Sequence, residues 1–540
     1  MEKHIKYPLY NHYTRVSTIN ELLDFCKDKY GEKIAFSFIE NKSKFEITYN
    51  RFVREVDSIR AYLHKTGIRN VHVGLLGENS YLWIATYFAI VCGKNTIVPI
   101  DKDLHEKEIE NLLIRSDCSI LFYDKKRSSI VEKIKRNISR KVDFILIDDI
   151  SSMKVNGEKL LEQGYVEHMC SVDRNDIASI VFTSGTTGNS KGVVLTHYNF
   201  CSSMYGACCN VFLDGPSLLI LPLHHTFGLV AGVFSVMFYG HTVCINQSLK
   251  RLSQDFLNFS PEHMFAVPLV VETMYKNIWM TAKKQGKEER LRKVIRMSDF
   301  LLLCHIDLRK VIFKSIHSTF GGNFKLIVSG GAPIDEKYIS AFRSFGITVL
   351  NGYGITECGP IVAVNRNLSP VKGSVGSLLC CNQVKISASG EILVKGDNVM
   401  QGYYFDECEN SKSFTEDGWF KTGDIGKLED DILYVTGRIK NLIILSNGEN
   451  ISAESIENMV YTIPYVKEAI AYGEDNKIVV EVFLDETVSN PEERINDDIN
   501  LLNCKLAQNC NIGKLILRSE EFPKTSSKKI KRNYRGDTQC

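Results

Sequence analysis

Sixteen cysteines are scattered from Cys26 to Cys540, yet no CxxC occurs, and the adjacent pairs Cys208-Cys209 and Cys380-Cys381 do not suit simple bridges. A disulfide scaffold is therefore excluded and the thiols read as reduced. The opening MEKHIKYPLYNHYTR lacks an apolar core, so no secretory leader is expected and the location reads as cytoplasmic. Net charge is nearly absent as well. Sixty-six Lys and Arg face 64 Asp and Glu, so no global field draws the chain to nucleic acid or to acidic membranes. Internal repeats and low-complexity tracts are missing. From Gly215 to Leu249 there is no Asp, Glu, Lys or Arg. A membrane-spanning helix needs about 20 apolar residues, and LPLHHTFG and GHT interrupt this run on either side, which points to a buried helix instead.

Hydrophobic residues at 44% and charged residues at 24% have the balance of a soluble globular protein, and 540 residues exceed one ordinary core. Strand-like runs recur at 71–77 (VHVGLLG), 96–100 (TIVPI), 119–124 (SILFYD), 144–148 (FILID) and 179–184 (SIVFTS). Amphipathic segments such as YLWIATYFAIVCG and KEIENLLIRS lie between them, and the alternation predicts parallel α/β sheets with crossover helices. The rhythm continues through KLIVSGGAP and GITVLNGYG. Past Gly390 the runs GEILVKG, LYVTGRIKNLIIL and KIVVEVFL are separated by short turns and suggest smaller, partly antiparallel sheets. The sharpest boundary is GRIKN, at 437–441.

The ten residues TSGTTGNSKG, 183–192, carry no apolar side chain and admit several readings. A P-loop would need Gly at 190 and Ser or Thr at 192, where Ser190 and Gly192 stand. The nucleophile elbow GxSxG is satisfied by Gly188, Ser190 and Gly192, which would make Ser190 the nucleophile of a serine esterase. That elbow requires a strand running directly in and a helix leaving, and here β-branched VVLT follows. A third reading is an anion cradle in which the glycines allow close backbone approach, the hydroxyls donate to phosphate and Lys191 adds a charge. A plain solvated loop is the fourth.

The run resembles the SGTTGxxKG phosphate signature of the adenylate-forming enzymes, the superfamily of acyl-CoA synthetases, luciferases and peptide-synthetase adenylation domains. Further motifs follow in that family's order: Ser329 to Pro333 (SGGAP), Asn351 to Glu357 (NGYGITE), Asp417 to Asp424 (DGWFKTGD) and, near the end, PKTSSKKIKR, similar to PKTxxGKIxR. The resemblance implies an α/β fold: a large N-terminal AMP-binding and acyl-pocket domain of parallel-sheet subdomains (1–437), a hinge (438–440) about Lys440, and a small mobile C-terminal α+β domain (441–540).

By the same resemblance, ATP is held by Thr183, Ser184, Gly185, Thr186, Thr187, Gly188 and Lys191, by Gly330, Gly331 and Ala332, and by Asn351, Gly352, Tyr353, Gly354 and Thr356. Tyr353 offers a flat face to adenine, Thr356 a hydroxyl to the α-phosphate, and Glu357 an oxygen to Mg2+. Asp424 holds the ribose hydroxyls with Arg438 beside it. Lys529 is the catalytic lysine. Lys528 stands where the family has glycine, at a cost of about 1 kcal/mol if that position needs positive φ. Asn447 and Gly448 border a pantetheine tunnel.

The implied reaction joins a carboxylic acid to AMP and then passes the acyl group to the thiol of CoA, or to the phosphopantetheine of an acyl carrier protein. LPLHHTFG resembles the family's acyl-pocket motif, placing His225, Phe227 and Gly228 at the acid. Members that activate amino acids carry an Asp near this point, and none lies from 215 to 249. The apolar run after His225 favours a fatty acid, since each buried CH2 contributes about 0.8 kcal/mol. An aryl acid stays open, as do the acceptor and peripheral membrane contact.

Overall fold

The computed structural model describes residues 10, 14–165, 171–183, 190–444, 450–474, 477–485, 490–504, 511–524, 530 and 532. The chain divides into two compact units, one of residues 1–383 and 394–420, the other of 384–393 and 421–540.

The first unit holds two sheets. One runs in the order Gly402–Tyr403, Lys191–Thr196, Ile177–Thr183, Thr96–Ile100, His72–Leu76, Cys118–Tyr123, Asp143–Leu146. Its centre is parallel, and TIVPI is buried at every residue, as a parallel strand covered on both faces must be. The expected crossover helices are Tyr81–Cys92, whose first turn is capped by the Ser80 hydroxyl accepting from Trp83 N, and Glu106–Arg115. Two antiparallel strands close the sheet, with Thr183 opposite Lys191.

In the other sheet, five strands lie parallel in the order Thr348–Gly354, Leu326–Ser329, His263–Ala266, Ser217–Leu219, Val243–Ile245, with Ile34–Glu40 continuing them. Antiparallel strands Ser43–Thr48, Ile361–Val364 and Gly376–Leu378 extend it. The charge-free run forms a buried helical stretch, Thr226–Leu229, a π segment Val230–Ser235 and Val236–Phe238. Among the described residues no helix is long and apolar enough to cross a membrane.

In the second unit, strands Val466–Glu474 and Lys477–Leu484 pair antiparallel, with Ile512–Arg518 parallel to the latter. Helices Ala453–Val460 and Pro491–Asn503 pack on them around Val460, Val480, Val482 and Ile495. The run LYVTGRIKNLIIL is two strands, Ile432–Arg438 and Leu442–Ile444, separated by a single 3-10 turn, Ile439–Asn441, with Lys440 at its middle.

Three buried histidines make the first unit acid-sensitive. His197, whose Nδ1 accepts from Ile19 N at 3.2 Å, is pushed down to about 4 by burial. His263, whose Nδ1 lies 3.1 Å from the Asp214 carbonyl, and His224 are both pushed to about 3, again chiefly by burial. Unfolded, each imidazole takes a proton near pH 6.5, so between that value and the folded ones the unfolded chain binds more protons. Stability is thus fully present above about pH 6.5 and is lost as pH falls, at about 2 kcal/mol per histidine by pH 5. The thermal midpoint should decline steadily from pH 6.5 to 5, and His263→Gln should make the slope shallower by about one proton. An equally steep slope in that variant would refute the assignment.

Candidate active site

The segment 183–192 joins two antiparallel strands. Ile177–Thr183 enters it and Lys191–Thr196 leaves it antiparallel, so the strand-to-helix geometry of a nucleophile elbow is absent at Ser190. Ser184, Gly185, Thr186, Thr187 and Gly188 lie outside the described residues. At the hairpin's base, the Lys191 ammonium pairs with Glu409 and lies 5.1 Å from the centre of the Tyr403 ring.

That tyrosine links the loop to the second signature. Tyr403 donates its O–H to Glu357 Oε1 at 2.9 Å, and burial together with the Glu357 charge keeps the phenol protonated well above its usual range. Glu357 stands in a 3-10 turn, Thr356–Cys358, immediately past the strand Thr348–Gly354. Neither Tyr403 nor Glu409 carries a sequence signal. Tyr403 and Glu409 meet their partners across 46 and 218 residues respectively, and Gly-Tyr-Tyr-Phe between polar residues reads as an ordinary turn.

Ser329-Gly-Gly-Ala and Asn351 to Gly354 lie at the carboxyl ends of adjacent parallel strands, with Ser329 opposite Asn351. Ligands of open α/β sheets bind at such strand ends. Here the backbone must come close. Gly331 has φ +83°, and a Cβ on Gly354 would lie 2.1 Å from the Pro360 carbonyl oxygen. Ser329, Gly330, Gly331, Gly352, Tyr353 and Gly354 line one cavity of about 80 Å³. Most of its other walls are apolar, from Cys208 of helix His197–Asn210, from Val211 just past its end, and from Ala231, Phe265 and Ile361. The Ser329 hydroxyl, fully buried, has no hydrogen-bond partner among the described residues.

Of the acyl-pocket residues, Phe227 is a wall of this cavity. His225 lies against His224, the ring centres 4.2 Å apart and the planes tilted by 50°, and His224 Nε2 lies 3.6 Å from Asp101 Oδ1. Gly228 packs so closely that a Cβ would meet the Pro222 carbonyl oxygen at 2.4 Å. Asn351 turns its amide to the Ser374 carbonyl at 3.3 Å.

In the second unit Asp424 and Arg438 are cross-strand neighbours, and Arg438 Nε donates to the buried Asp424 Oδ1 at 2.7 Å. Asn447, Gly448 and Lys529 lie outside the described residues. The ends flanking Lys529 are held, however: Lys524 pairs with Glu468 and with Glu521, and Arg532 donates to Glu457 at 2.5 Å and lies 3.5 Å from Glu454. Lys524 also bridges to Ile530.

These residues fit a nucleotide and its metal ion in kind. A buried hydroxyl with no partner among the described residues, a glycine at positive φ (Gly331) and one with no room for a Cβ (Gly354) border the cavity. No cluster of three metal-ligating side chains occurs among the described residues, but Mg2+ on a nucleotide takes one or two protein carboxylates and completes its shell with phosphates and water, so Glu357 suffices.

The AMP-binding enzyme family model matches residues 24–404. A long-chain-fatty-acid–CoA ligase of Mycobacterium bovis is 26% identical over 427 residues, covering 74% of this chain and 71% of its own. Human long-chain-fatty-acid–CoA ligase 1 is 27% identical over 477 residues, covering 79% and 68%. Among solved structures, the o-succinylbenzoate CoA synthetase of Bacillus subtilis, in complex with its acyl-adenylate intermediate, aligns over 96% of this chain and 98% of its own. The TM-score is 0.74 and the identity 23%, which speaks for a shared fold.

Proposed function

The chain belongs to the AMP-binding enzyme family, and on that premise we propose that it activates a fatty acid with ATP and transfers the acyl group to CoA. A carboxylate oxygen attacks the α-phosphorus, the bond to the β-phosphate breaks, and pyrophosphate leaves. A thiol then attacks the acyl carbonyl, the bond to AMP breaks, and the thioester forms. The observation that carries this reading is a cavity in which the strand ends at 329–331 and 352–354 meet an apolar wall that includes Ala207 and Cys208 of helix His197–Asn210.

The roles follow from charge. Thr183, Lys191 and the loop between them hold the β- and γ-phosphates, and Lys191 exchanges Glu409 for phosphate. Tyr353 packs on adenine and Thr356 donates to the α-phosphate. Asp424 accepts from the ribose beside Arg438, while Glu357 would hold Mg2+, which neutralises phosphate charge when bound. Lys529 meets the carboxylate and α-phosphate. Residues 441–540 turn about Lys440 between the half-reactions, and Asn447 and Gly448 then line the thiol's path.

Peripheral membrane contact belongs to the same reading. Between Met280 and Lys314 there are ten Lys and Arg against four acids, in a chain whose net charge is +2. Phe300, Leu303 and Val311 are 64%, 81% and 73% exposed. Basic residues around exposed apolar ones suit an anionic bilayer that holds the substrate.

Pyrophosphate release is the test, with saturated fatty acids and aryl acids, and with CoA, carrier protein or no acceptor. Release requiring both Mg-ATP and a fatty acid, with CoA accelerating turnover, is expected. Preference for aryl acids, or for carrier protein, would replace that part of the reading. ATP-independent ester hydrolysis lost in Ser190→Ala would overturn it altogether. With acid supplied in anionic vesicles, Phe300→Asp should lower the rate several-fold and leave the rate with soluble acid unchanged. Equal effects in both would remove the membrane contact.

A further inference from the structure

The cavity that meets the strand ends is small. At about 80 Å³ it has room for about five to eight water molecules, and a methylene group fills much the same space as one water. A chain of about five to seven carbons therefore occupies it. No charged side chain lines it among the described residues, and Ala207, Cys208, Val211, Leu213 and Ala231 make much of its wall apolar.

These walls have little freedom to retreat. Tyr239 donates its O–H to the carbonyls of Cys208 and Val211 at 2.7 and 2.9 Å, which ties down the end of helix His197–Asn210. The His241 ring stacks on Tyr239 with centres 6.0 Å apart and planes 9° apart, and its Nε2 lies 3.2 Å from the Leu213 carbonyl. In the π segment Val230–Ser235, the Ser235 hydroxyl donates to the Val230 carbonyl at 3.0 Å. Phe234 of that segment is fully buried against Phe88 and Phe200, with ring centres 5.4 and 6.1 Å away. A longer chain would have to force apart side chains packed as densely as an organic crystal.

We propose that this pocket is closed to long chains and that the acid activated is a medium-chain one, of about six to eight carbons. The inference rests on the reading of the chain as an acid–CoA ligase and narrows its substrate. Ala207 and Ala231 set the limit. At both positions the side chain is a single methyl group on a wall of the cavity, so each carbon added there takes space from the substrate. Up to that limit every methylene of the acid leaves water for an apolar surface, and beyond it the gain is offset by the strain of moving the wall.

The test measures pyrophosphate release by the full chain with Mg-ATP, CoA and saturated acids from butyrate to stearate, each below its micelle concentration. From butyrate to hexanoate or octanoate kcat/KM should rise about fourfold per added methylene, and from there to palmitate it should fall about tenfold or more. Ala231→Leu adds three carbons to the wall and should shift the optimum down by about two to three carbons, raising the ratio of butyrate to octanoate turnover. A loss of structure would lower all acids alike and leave that ratio unchanged. Ala207→Val is the milder companion, with a shift of about one to two carbons. The unsubstituted chain decides the matter even where a variant fails to fold: an optimum at palmitate or stearate overturns the proposal. So does an unchanged chain-length profile in both folded variants. Absence of pyrophosphate release with every acid overturns instead the reading on which the proposal rests.

Discussion

Lys529→Ala is expected to slow adenylate formation by about 10²- to 10³-fold while leaving thioester formation from supplied acyl-adenylate within a few-fold of its original rate. The first half-reaction drives a carboxylate against a phosphate, two anions approaching a common centre, and an ammonium fixed between them offsets repulsion that water would otherwise screen. The second half-reaction brings a thiol to a carbonyl that is already activated, so it has less need of that charge. The chain is held on both sides of this position: Lys524 pairs with Glu468 and Glu521, and Arg532 with Glu457. Lys528→Ala is the matched control, since it removes the neighbouring charge and also the side chain that stands at the family's glycine. It should cost much less. Equal impairment of both half-reactions by Lys529→Ala, or a larger loss from Lys528→Ala, would reject the assignment.

What was legible in the sequence divides along physical lines. Buried parallel strands are continuous apolar runs, so Thr96–Ile100 and Cys118–Tyr123 stand out without any knowledge of their neighbours. The edges of the second sheet do not. Ile34–Glu40 is recognisable only once it pairs with Val243–Ile245, some two hundred residues away, and no local period announces that pairing. The run from Leu433 to Leu445 reads as one strand by composition, yet Arg438 turns to Asp424 and the chain breaks into a 3-10 turn directly after it. At the candidate site, type and spacing single out Glu357 and Asp424, and the structure sets the first against Tyr403 and the second against Arg438. Tyr403 and Glu409 are not singled out, because their importance lies in what they touch. The pairing of Thr183 with Lys191 adds what composition alone left open, since a strand leaving the segment is not the strand-to-helix turn of a nucleophile elbow.

Glu357→Gln should lower pyrophosphate release by about 10²-fold or more at millimolar Mg2+. The amide keeps an oxygen that can accept from Tyr403 but removes the charge that suits a hard cation. Tyr403→Phe tests a different property, the orientation of that carboxylate. It leaves the ring beneath Lys191 and takes away only the O–H that donates to Glu357 at 2.9 Å, so about a tenfold loss is expected, appearing mainly as a higher Mg2+ requirement. If Tyr403 acts through Glu357, the two changes cannot be independent: in the Glu357→Gln background the phenol has no carboxylate to aim, and adding Tyr403→Phe should cost little more. A purely structural tyrosine would instead lower activity by the same factor in either background and leave the Mg2+ dependence where it was. Additive losses in the double variant would therefore disconnect Tyr403 from the carboxylate, and with it the route by which the base of the phosphate hairpin is joined to Glu357.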